Sequence, residues 1–390
     1  MMMSWPTCKK KKWVRVFFLG STGLLFVVGM IVSQQQTYPT AVQIPQGKHF
    51  TVAYGTPYFF QPWIRQYVKS DAYAQCAFNN CIPIRDTSKA DAVVFHHWDL
   101  YPSILFTGGG KNRRKQVWIY YGKEPVSRTN WFSHRLNGIF NWTATYLSTS
   151  DIHLPYGTYA KIPSTAMKLR KSLTELRKKT KTAFILMSHC HTWSRREDLV
   201  EDLRKHIDVD VLGKCGKPCP NNDNCDFNLF EKEYKFYLAF ENSKCFEYIT
   251  EKLWNNALAV GLVPVVLGGH SRNDYEALLP PESFIYADDF SSPKQLAEYL
   301  KKVGSDSELY NKFLRWREHF RVSTSQEKID VMCGVCRGLN NKTMMSTPQI
   351  HNDMDKFWSV RRDCHGVGPG VQNGWFENAK AFFLYVFGIL

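Results

Sequence analysis

Residues 236–269 constrain the fold more than any other stretch of this chain; they read FYLAFENSKCFEYITEKLWNNALAVGLVPVVLGG. The stretch opens and closes with apolar runs that have the length and composition of buried strands. Between them Thr250 is a good N-cap, and apolar residues at helical spacing predict a helix that ends near Gly261. A strand, a crossover helix and a second strand predict a βαβ unit in a parallel sheet.

Polar residues cluster where the first strand of this unit ends and its helix begins. They are Glu241, Asn242, Tyr248, Glu251 and Lys252. In open parallel sheets ligands bind at the carboxyl ends of the strands, near helix N-termini that favour phosphate. The cluster therefore indicates a ligand cleft. A purely structural interpretation stays open, in which Glu241 pairs with Lys252 across a turn and Asn242 caps the helix.

Strand and helix signals extend this α/β pattern over most of the chain. HFTVAYG, ADAVVFHHW and QVWIYYG predict buried strands of a first domain at residues 49–160. Residues 161–181 are dense in Lys and Arg and predict a basic linker. TAFILMS begins a second domain at 182–350, and residues 351–390 form a divergent tail.

The N-terminal residues have the pattern of a membrane anchor. A tail at 1–12 ends in four lysines, an apolar segment at 13–32 contains one charge, Arg15, and a polar stem follows at 33–48. Twenty helical residues span about 30 Å, which is the thickness of the bilayer core. Lysines before the segment and an uncharged stretch after it predict a cytosolic N-terminus and a lumenal bulk. A cleaved signal peptide is the alternative.

Cysteines and sequons point to the same compartment. Of 11 cysteines only Cys8 precedes the apolar segment, which favours an oxidising lumen and disulfides. Zinc is the alternative, because the cysteines at 215–225 and 333–336 have ligand-like spacing. Sequons at Asn141 and Asn341 are usable only in the secretory pathway. The net charge of +15 fits an anionic membrane face or substrate, and no nucleic-acid motif accompanies it.

Several blocks of the sequence resemble the α1,3-fucosyltransferases. ENSKCFEYITEKLWNNALAVGLVPVVLGG resembles the family signature, and ADAVVFHHWD, FNWTATY, DVDVLGKCG and SFIYADDFSSPKQLAEYL follow family order between about residues 49 and 340. The resemblance implies a GT-B fold, which is α/β with two Rossmann-like domains facing a cleft, and an N-terminal transmembrane anchor. It implies a single-pass type II Golgi enzyme with a lumenal catalytic domain. The implied reaction is the inverting transfer of L-fucose from GDP-β-L-fucose to O3 of N-acetylglucosamine on glycoprotein or glycolipid glycans.

The resemblance also assigns roles to residues. Glu124 is the expected catalytic base, although the family's W-x-x-x-E-S-P is shifted here by one residue; His96, His97 and Asp99 are the second candidates. The expected donor-binding residues are Arg195, Arg196, Asn242, Tyr248, Glu251 and Lys252. His189 and Leu147 replace a usual Asn and Arg, so nearby contacts differ. No obligatory metal or cofactor is expected, since cationic side chains receive the leaving diphosphate; a divalent cation is expected at most to stimulate turnover.

Two further points stay open at this stage. The disulfide candidates Cys76, Cys81, Cys333 and Cys336 form either local pairs or bridges between the last helix and the first domain. A catalytically weak, membrane-tethered glycan-binding relative and a GT-B transferase for another nucleotide sugar are the alternative functions.

Overall fold

Two parallel sheets form the framework of the molecule. The computed structural model describes residues 49–56, 73–100, 116–128, 136–163, 178–219, 225–325, 327–346, 350–359 and 364–365. All of these residues belong to one compact unit that spans residues 42–390. The predicted anchor at 13–32 lies outside the described residues. Within the described part, no helix is long and apolar enough to cross a membrane.

The first sheet is built from the chain's first six described strands. Its strands are β1 (Phe50–Tyr54), β2 (Cys81–Pro83), β3 (Ala92–His96), β4 (Val117–Gly122), β5 (Trp142–Thr145) and β6 (Ile152–His153). Their order is β2-β1-β3-β4-β5-β6, and all neighbours are parallel. The order reverses between β1 and β3, which is the switch point of a doubly wound sheet.

The second sheet repeats this topology. Its strands are β8 (Lys181–Leu186), β9 (Val209–Leu212), β10 (Tyr234–Phe240), β12 (Val263–Leu267) and β13 (Ile285–Tyr286), in the order β13-β12-β10-β8-β9 with parallel neighbours. Its switch point lies between β8 and β10. Two short antiparallel pairs complete the strands: β7 (Gly157–Lys161) with β14 (Phe320–Thr324), and β11 (Lys244–Cys245) with β15 (Cys364–His365). The predicted class, α/β with parallel sheets, is confirmed.

Helices cover both sheets. They are α1 (Arg196–Arg204), α2 (Phe227–Glu233), α3 (Glu251–Leu253), α4 (Arg272–Leu278), α5 (Pro293–Ser305), α6 (Ser307–Lys312), α7 (Glu327–Asn340), α8 (Lys342–Ser346) and α9 (Met354–Phe357). Short 3₁₀ turns lie at Thr87–Lys89, His97–Asp99, Val126–Arg128, Ala287–Asp289 and Arg315–Glu318. The predicted crossover helix after Thr250 is shorter than expected, because α3 gives way to a π-helical turn at Trp254–Leu258. That turn closes with a bond from Ala259 N to Trp254 O, and Gly261 ends it with φ of 93°.

The core follows the alternation of the strands. On β10, Phe236, Leu238 and Phe240 face α1 and α5, whereas Tyr237 and Ala239 face the π-helical turn and α4. This period of two is what a parallel strand buried on both faces requires.

The chain returns to the first sheet near its C-terminus. Helix α7 packs Val331, Met332 and Val335 against one face of the first sheet, and Met354 and Trp358 pack against the other. The predicted domain limits place α7 in the second domain, but its side chains complete the core of the first. The predicted limits rest on sequence continuity, and this packing joins segments more than 200 residues apart.

Long-range disulfides fasten this return. Cys76–Cys333 and Cys81–Cys336 join α7 to residues 76–81, which lead into β2, so the candidates form long-range bridges instead of local pairs. The other described pairs are Cys190–Cys215, Cys219–Cys225 and Cys245–Cys364. The cysteines with ligand-like spacing are therefore bridged, and the zinc alternative does not hold for them.

The two long-range bridges should stabilise the fold non-additively. They close nearly the same loop, with sequence separations of 257 and 255 residues, so either one alone constrains it. In the chain-entropy model, Cys76→Ser/Cys333→Ser or Cys81→Ser/Cys336→Ser should each cost about 2 kcal/mol, whereas removing both bridges should cost about 7 kcal/mol. Urea unfolding of the four forms measures the coupling. A loss for the quadruple variant equal to the sum of the two double variants would contradict this account.

Candidate functional site

One cavity collects the carboxyl ends of strands from both sheets. It has a volume of about 490 Å³. The first sheet contributes Trp98 after β3 and Glu124 after β4, and the second contributes Ser188 after β8 and Asn242 after β10. The remaining lining residues are Tyr156, Leu186, His189, Arg196, Tyr248, Glu251, Lys252 and Asn256. In the second sheet the cavity lies at the switch point between β8 and β10, where a ligand is expected in this topology.

A buried carboxylate organises the polar cluster on the second sheet. Glu241 is only 2% exposed, and its Oε1 accepts hydrogen bonds from the N and Oγ1 atoms of Thr250 at 2.8 and 2.9 Å. Its Oε2 lies 3.2 Å from Nζ of Lys252. Thr250 in turn caps α3 by accepting a hydrogen bond from the backbone of Lys252. Glu241 therefore ties the end of β10 to the start of α3. The predicted pairing of Glu241 with Lys252 is confirmed, whereas the predicted cap is wrong, since Thr250 and not Asn242 caps the helix.

The same contacts keep Lys252 charged at the cavity. Burial opposes its ammonium charge, but the carboxylates of Glu241 and Glu251 outweigh that effect and raise the pKa of Lys252. Nζ lies 3.0 Å from Oε1 of Glu251; desolvation at the cavity opposes ionisation of this carboxyl, but the positive charge of Lys252 lowers its pKa. Burial raises the pKa of Glu241, an effect that Lys252 opposes. Structural pairing and a role at the cavity thus coexist, since Lys252 also lines it.

The two adjacent arginines lie in different environments. Arg195 has φ of 51° and an 81% exposed side chain that pairs with Asp198 at 2.6 Å. Arg196 is 2% exposed and donates from Nη1 to Phe240 O at 2.7 Å, at the end of β10. Burial lowers the pKa of Arg196, which Glu241 counteracts. Only Arg196 lines the cavity, so the position of Arg195 gives no support to its predicted donor contact.

Two residues that line the cavity from the second sheet carry buried polar atoms without a partner. Among the described residues, such atoms include Nε of Arg196 and Oδ1 of Asn242. Such atoms cost free energy unless a ligand or water satisfies them. Tyr248 lies beside them, and its ring packs at 5.3 Å from Tyr146 and at 6.1 Å from Tyr156. Burial, with Glu124 as a further cause, raises the pKa of Tyr248 and keeps its hydroxyl protonated.

Glu124 enters the cavity from a rigid loop. It lies two residues beyond the end of β4, so the alternation of strand faces no longer fixes its direction. The backbone carbonyl of the preceding Lys123 accepts a hydrogen bond from the hydroxyl of Tyr156 at 2.5 Å. Nζ of Lys123 lies 4.1 Å from the centre of the Tyr156 ring and donates to Oγ of Ser325 at 2.7 Å. These contacts hold the loop from both sides.

The histidine pair lies outside the cavity. His96 and Asp99 are buried, with Nδ1 of His96 2.6 Å from Oδ2 of Asp99. Burial and the neighbouring His96 keep the pKa of His97 well below its usual value, so His97 is neutral. These three residues are part of the core under the cavity. In the same segment, Trp98, which stands between His97 and Asp99 in the sequence, does line the cavity.

Several lining residues were not predicted from the sequence, among them Trp98, Tyr156 and Asn256. Trp98 follows the quoted pair His96-His97 and Tyr156 follows the strand end at His153, so both lie in segments that the resemblance covers. Asn256 lies on the π-helical turn, which periodicity alone does not reveal. In the described ranges no group of three or more His, Cys, Asp or Glu side chains is arranged to hold a metal ion.

The fold and the cavity define the class of protein. It is an α/β protein with a cavity at strand ends of two doubly wound sheets, and the buried Arg196 and the half-buried Lys252 line this cavity with positive charge. The family description "Fucosyltransferase, N-terminal" matches residues 50–157, and "Glycosyltransferase family 10 (fucosyltransferase) C-term" matches residues 176–357. The chain belongs to this fucosyltransferase family of glycosyltransferases.

Curated relatives agree with this assignment. Alpha-(1,3)-fucosyltransferase C of Drosophila melanogaster is 35% identical over 69% of this chain and 65% of its own length. Glycoprotein 3-alpha-L-fucosyltransferase A of the same fly is 35% identical over 67% of this chain and 49% of its own length. The Homo sapiens 4-galactosyl-N-acetylglucosaminide 3-alpha-L-fucosyltransferase FUT6 is 35% identical over 78% of this chain and 86% of its own. The chain thus spans about two thirds of the length of the first fly relative and about half of the length of the second.

The solved structure supports the fold. A crystal structure of an alpha1,3-fucosyltransferase with GDP superposes with a TM-score of 0.50 and 15% identity, over 82% of this chain and 96% of that one.

Of the two carboxylates that contact Lys252, the buried Glu241 should contribute more to the stability of the fold than the exposed Glu251. Glu241→Gln should cost about 3 kcal/mol, because it leaves Lys252 without its buried counter-ion. Glu251→Gln is the matched control, since Glu251 also contacts Lys252 but has a side chain that is 48% exposed; this change should cost under about 1 kcal/mol. Unfolding midpoints in urea compare the two. Equal losses of unfolding free energy in the two variants would show that burial of the ion pair does not determine how much it stabilises the fold.

Proposed function

We propose that the protein transfers L-fucose from GDP-β-L-fucose to O3 of an N-acetylglucosamine unit, with inversion at the anomeric carbon. One observation carries the proposal: Glu124 from the first sheet and the cations Arg196 and Lys252 from the second line the same cavity. Two sheets that contribute to one cleft in this way also support the GT-B arrangement implied by the sequence. The family and its relatives support fucose as the transferred sugar.

Glu124 would act as the general base. In the reaction the acceptor oxygen forms a bond to the anomeric carbon as the bond from that carbon to the β-phosphate oxygen breaks. The departing GDP keeps the electron pair, and the proton of the acceptor hydroxyl passes to the carboxylate of Glu124. A hydroxyl is a weak nucleophile at neutral pH, and a positioned carboxylate that accepts its proton in the transition state makes it a stronger one.

Lys252 and Arg196 would stabilise the leaving diphosphate. Lys252 is charged and points at the cavity, and Arg196 has a buried Nε that lacks a partner among the described residues. Preorganised cations in a partly buried site stabilise developing negative charge more strongly than water does. Asn242, Tyr248 and Glu251 would bind hydroxyl and amide groups of the donor. The two cations supply the positive charge that the leaving group needs, so no obligatory metal is part of the proposal, and a divalent cation would at most stimulate turnover.

The acceptor is a glycan that contains N-acetylglucosamine. The relatives' names cover two kinds of substrate, a galactosyl-N-acetylglucosamine unit and a glycoprotein. In the proposed reaction either kind of substrate would supply the 3-hydroxyl of an N-acetylglucosamine unit to Glu124. A panel with both acceptor types therefore tests the proposal without deciding in advance between an antenna and the N-glycan core.

Removing the charge of Lys252 should reduce turnover. Lys252→Ala should lower the rate of fucose transfer by about 10²–10³, the effect of one well-placed electrostatic group. Lys252→Arg, which keeps the positive charge, should recover part of the loss. Stability is measured in parallel because Lys252→Ala leaves Glu241 buried without its cation. A folded Lys252→Ala enzyme with a normal rate would remove Lys252 from the donor site.

Glu124→Gln should separate donor binding from transfer. The amide cannot accept the proton, so transfer should fall by about 10²–10⁴ while the affinity for GDP-fucose stays unchanged. Glu298→Gln, an isosteric change at an exposed position on α5, is the control. Wild type and variants are assayed with GDP-fucose and both acceptor types.

Two outcomes of that assay would count against the proposal. Full activity of Glu124→Gln would exclude Glu124 as the base. GDP-fucose binding by the wild type without transfer to any acceptor would favour the glycan-binding alternative, and transfer from a different donor in a nucleotide-sugar panel would favour the other GT-B activity.

We also propose that the protein is a Golgi membrane protein of type II with its catalytic part in the lumen. The charge pattern around residues 13–32 and ten bridged cysteines support this location, because disulfides persist in oxidising compartments. The side chains of both asparagines accept backbone hydrogen bonds, but Asn341 and Thr343 are exposed, whereas Asn141 is half-buried and Thr143 is buried. Asn341 is therefore the better glycosylation site.

Glycosidase treatment of protein from membranes checks this location. The treatment should increase gel mobility, and Asn341→Gln should abolish most of the shift, while Asn141→Gln should not. Sealed vesicles should protect the folded part from added protease. Digestion of that part from the cytosolic side would reverse the proposed topology.

A further inference from the structure

A second cavity lies on the other side of the loop that carries Glu124. It has a volume of about 320 Å³ and is lined by the β7–β14 pair, by α7 and by the segment before β2. Its residues include Gly157, which follows the Tyr156 of the first cavity, and Ser325, which accepts the hydrogen bond of Lys123. The two cavities are thus linked by adjacent residues of the chain, Tyr156 and Gly157, and by the hydrogen bond from Lys123 to Ser325.

The two long-range disulfides fix one wall of this cavity. The segment 76–81 is joined to α7 at both ends, by Cys76–Cys333 and Cys81–Cys336. Asn80 and Asn340 exchange side-chain hydrogen bonds at 2.8 and 3.1 Å and tighten the same contact. Between the two bridges Phe78 lines the cavity with 43% of its surface exposed. The chain therefore holds an exposed aromatic ring on a doubly anchored segment.

The remaining lining is polar and of mixed charge. Thr158 and Ser323 are directly opposite each other in the β7–β14 pair, so their exposed side chains lie on the same face. Asp330 accepts a hydrogen bond from Oγ of Ser325 at 2.5 Å and contributes a negative charge, and the exposed Arg337 contributes a positive charge. Partial burial lowers the pKa of His153, which makes it neutral.

This lining selects among ligand classes. An anionic ligand would meet the carboxylate of Asp330 as well as Arg337, and an apolar ligand would leave the hydroxyls and charges without partners. A neutral ligand with many hydroxyl groups satisfies both conditions, since its hydroxyls can donate to Asp330 and accept from Arg337. Its C–H faces can pack on the ring of Phe78, which loses little conformational entropy because the segment is already fixed.

We propose that this cavity is a subsite for neutral sugar units of the acceptor glycan, beyond the unit that receives fucose. The assignment of these sugar units to the acceptor rests on the proposed function. The reacting hydroxyl would lie at Glu124, and the following units of the glycan would extend past Tyr156 to Phe78. Ser325 and Asp330 connect this subsite to Lys123 and so to the loop of Glu124. The subsite would make the enzyme prefer longer acceptors over a disaccharide.

The test compares glycans that share one reacting end. The probes are a galactosyl-N-acetylglucosamine disaccharide and a tetrasaccharide that ends in the same disaccharide, each with GDP present. Binding is measured by saturation-transfer NMR and titration calorimetry, and transfer is measured as KM and kcat. Phe78→Ala and Arg337→Gln are the test variants. Leu229→Ala on α2 is the matched control, because it removes an apolar side chain of similar exposure, 41%, that does not line this cavity.

We expect the wild type to bind the tetrasaccharide more tightly than the disaccharide. Phe78→Ala should raise the Kd and KM for the tetrasaccharide about three- to tenfold, the usual range for the loss of one aromatic contact, and leave the disaccharide unchanged. Arg337→Gln should have a smaller effect of the same kind, and Leu229→Ala none. Equal affinity of wild type and both test variants for the tetrasaccharide would overturn the proposal.

Two further outcomes are distinguishable. If the wild type transfers no fucose but its binding still depends on glycan length and Phe78, the proposed function fails and the sugar subsite stands. If Phe78→Ala weakens binding of an oligosaccharide that lacks N-acetylglucosamine and changes neither Kd nor KM for the tetrasaccharide, the assignment of the subsite to the acceptor is overturned.

Discussion

The buried carboxylate of Glu241 is the interaction on which the site depends. A charged group at the end of a central strand is stable only if it is paired and hydrogen-bonded, and Thr250 and Lys252 supply both requirements. The same contacts fix the start of α3 and hold Lys252 protonated at the cavity. Arg196 reaches the neighbouring carbonyl of Phe240 and adds a second positive charge. The positive potential of the site is therefore built into the backbone connection between β10 and α3.

The first sheet depends on segments that follow the second. Helix α7 fills one face of the first sheet, two disulfides fasten it, and β14 pairs with β7 where the chain passes from one sheet to the other. Ser325, directly after β14, binds the side chain of Lys123 beside Glu124. The loop that carries the proposed base is consequently held by Tyr156 and Ser325, which come from two distant parts of the chain. A cleft between two sheets keeps its geometry only if such cross-connections limit their relative motion.

The sequence predicted what local patterns encode. The βαβ unit at 236–269, the strand TAFILMS and the strands before Glu124 are present, because period-two alternation and continuous apolar runs reflect burial directly. The disulfide pairing could not be decided, since cysteine spacing carries no information on which distant segment returns. The π-helical turn at Trp254–Leu258 also escaped prediction: its apolar spacing is that of an ordinary helix, and the wider turn becomes visible only in its hydrogen bonds. The packing of α7 on the first sheet could not be predicted either, because, like the disulfide pairing, it joins segments that are far apart in the sequence.

The candidate site shows where resemblance and geometry complement each other. Spacing left Arg195 and Arg196 as near equivalents, and the left-handed backbone of Arg195 separates them, because it turns one side chain to solvent at the point where the next residue begins α1. The one-residue shift at Glu124 is absorbed in a similar way. β4 ends at Gly122, where a Cβ atom would lie 2.6 Å from the buried ring of His97, so the strand closes against the core there and the loop after it is free of strand alternation. Tyr156 and Ser325 then fix Lys123, and Glu124 reaches the cavity although its position along the sequence differs from the family pattern. The position of the Glu124 carboxylate thus depends on how the neighbouring Lys123 is held by Tyr156 and Ser325. These are tertiary contacts, and a sequence motif does not contain them.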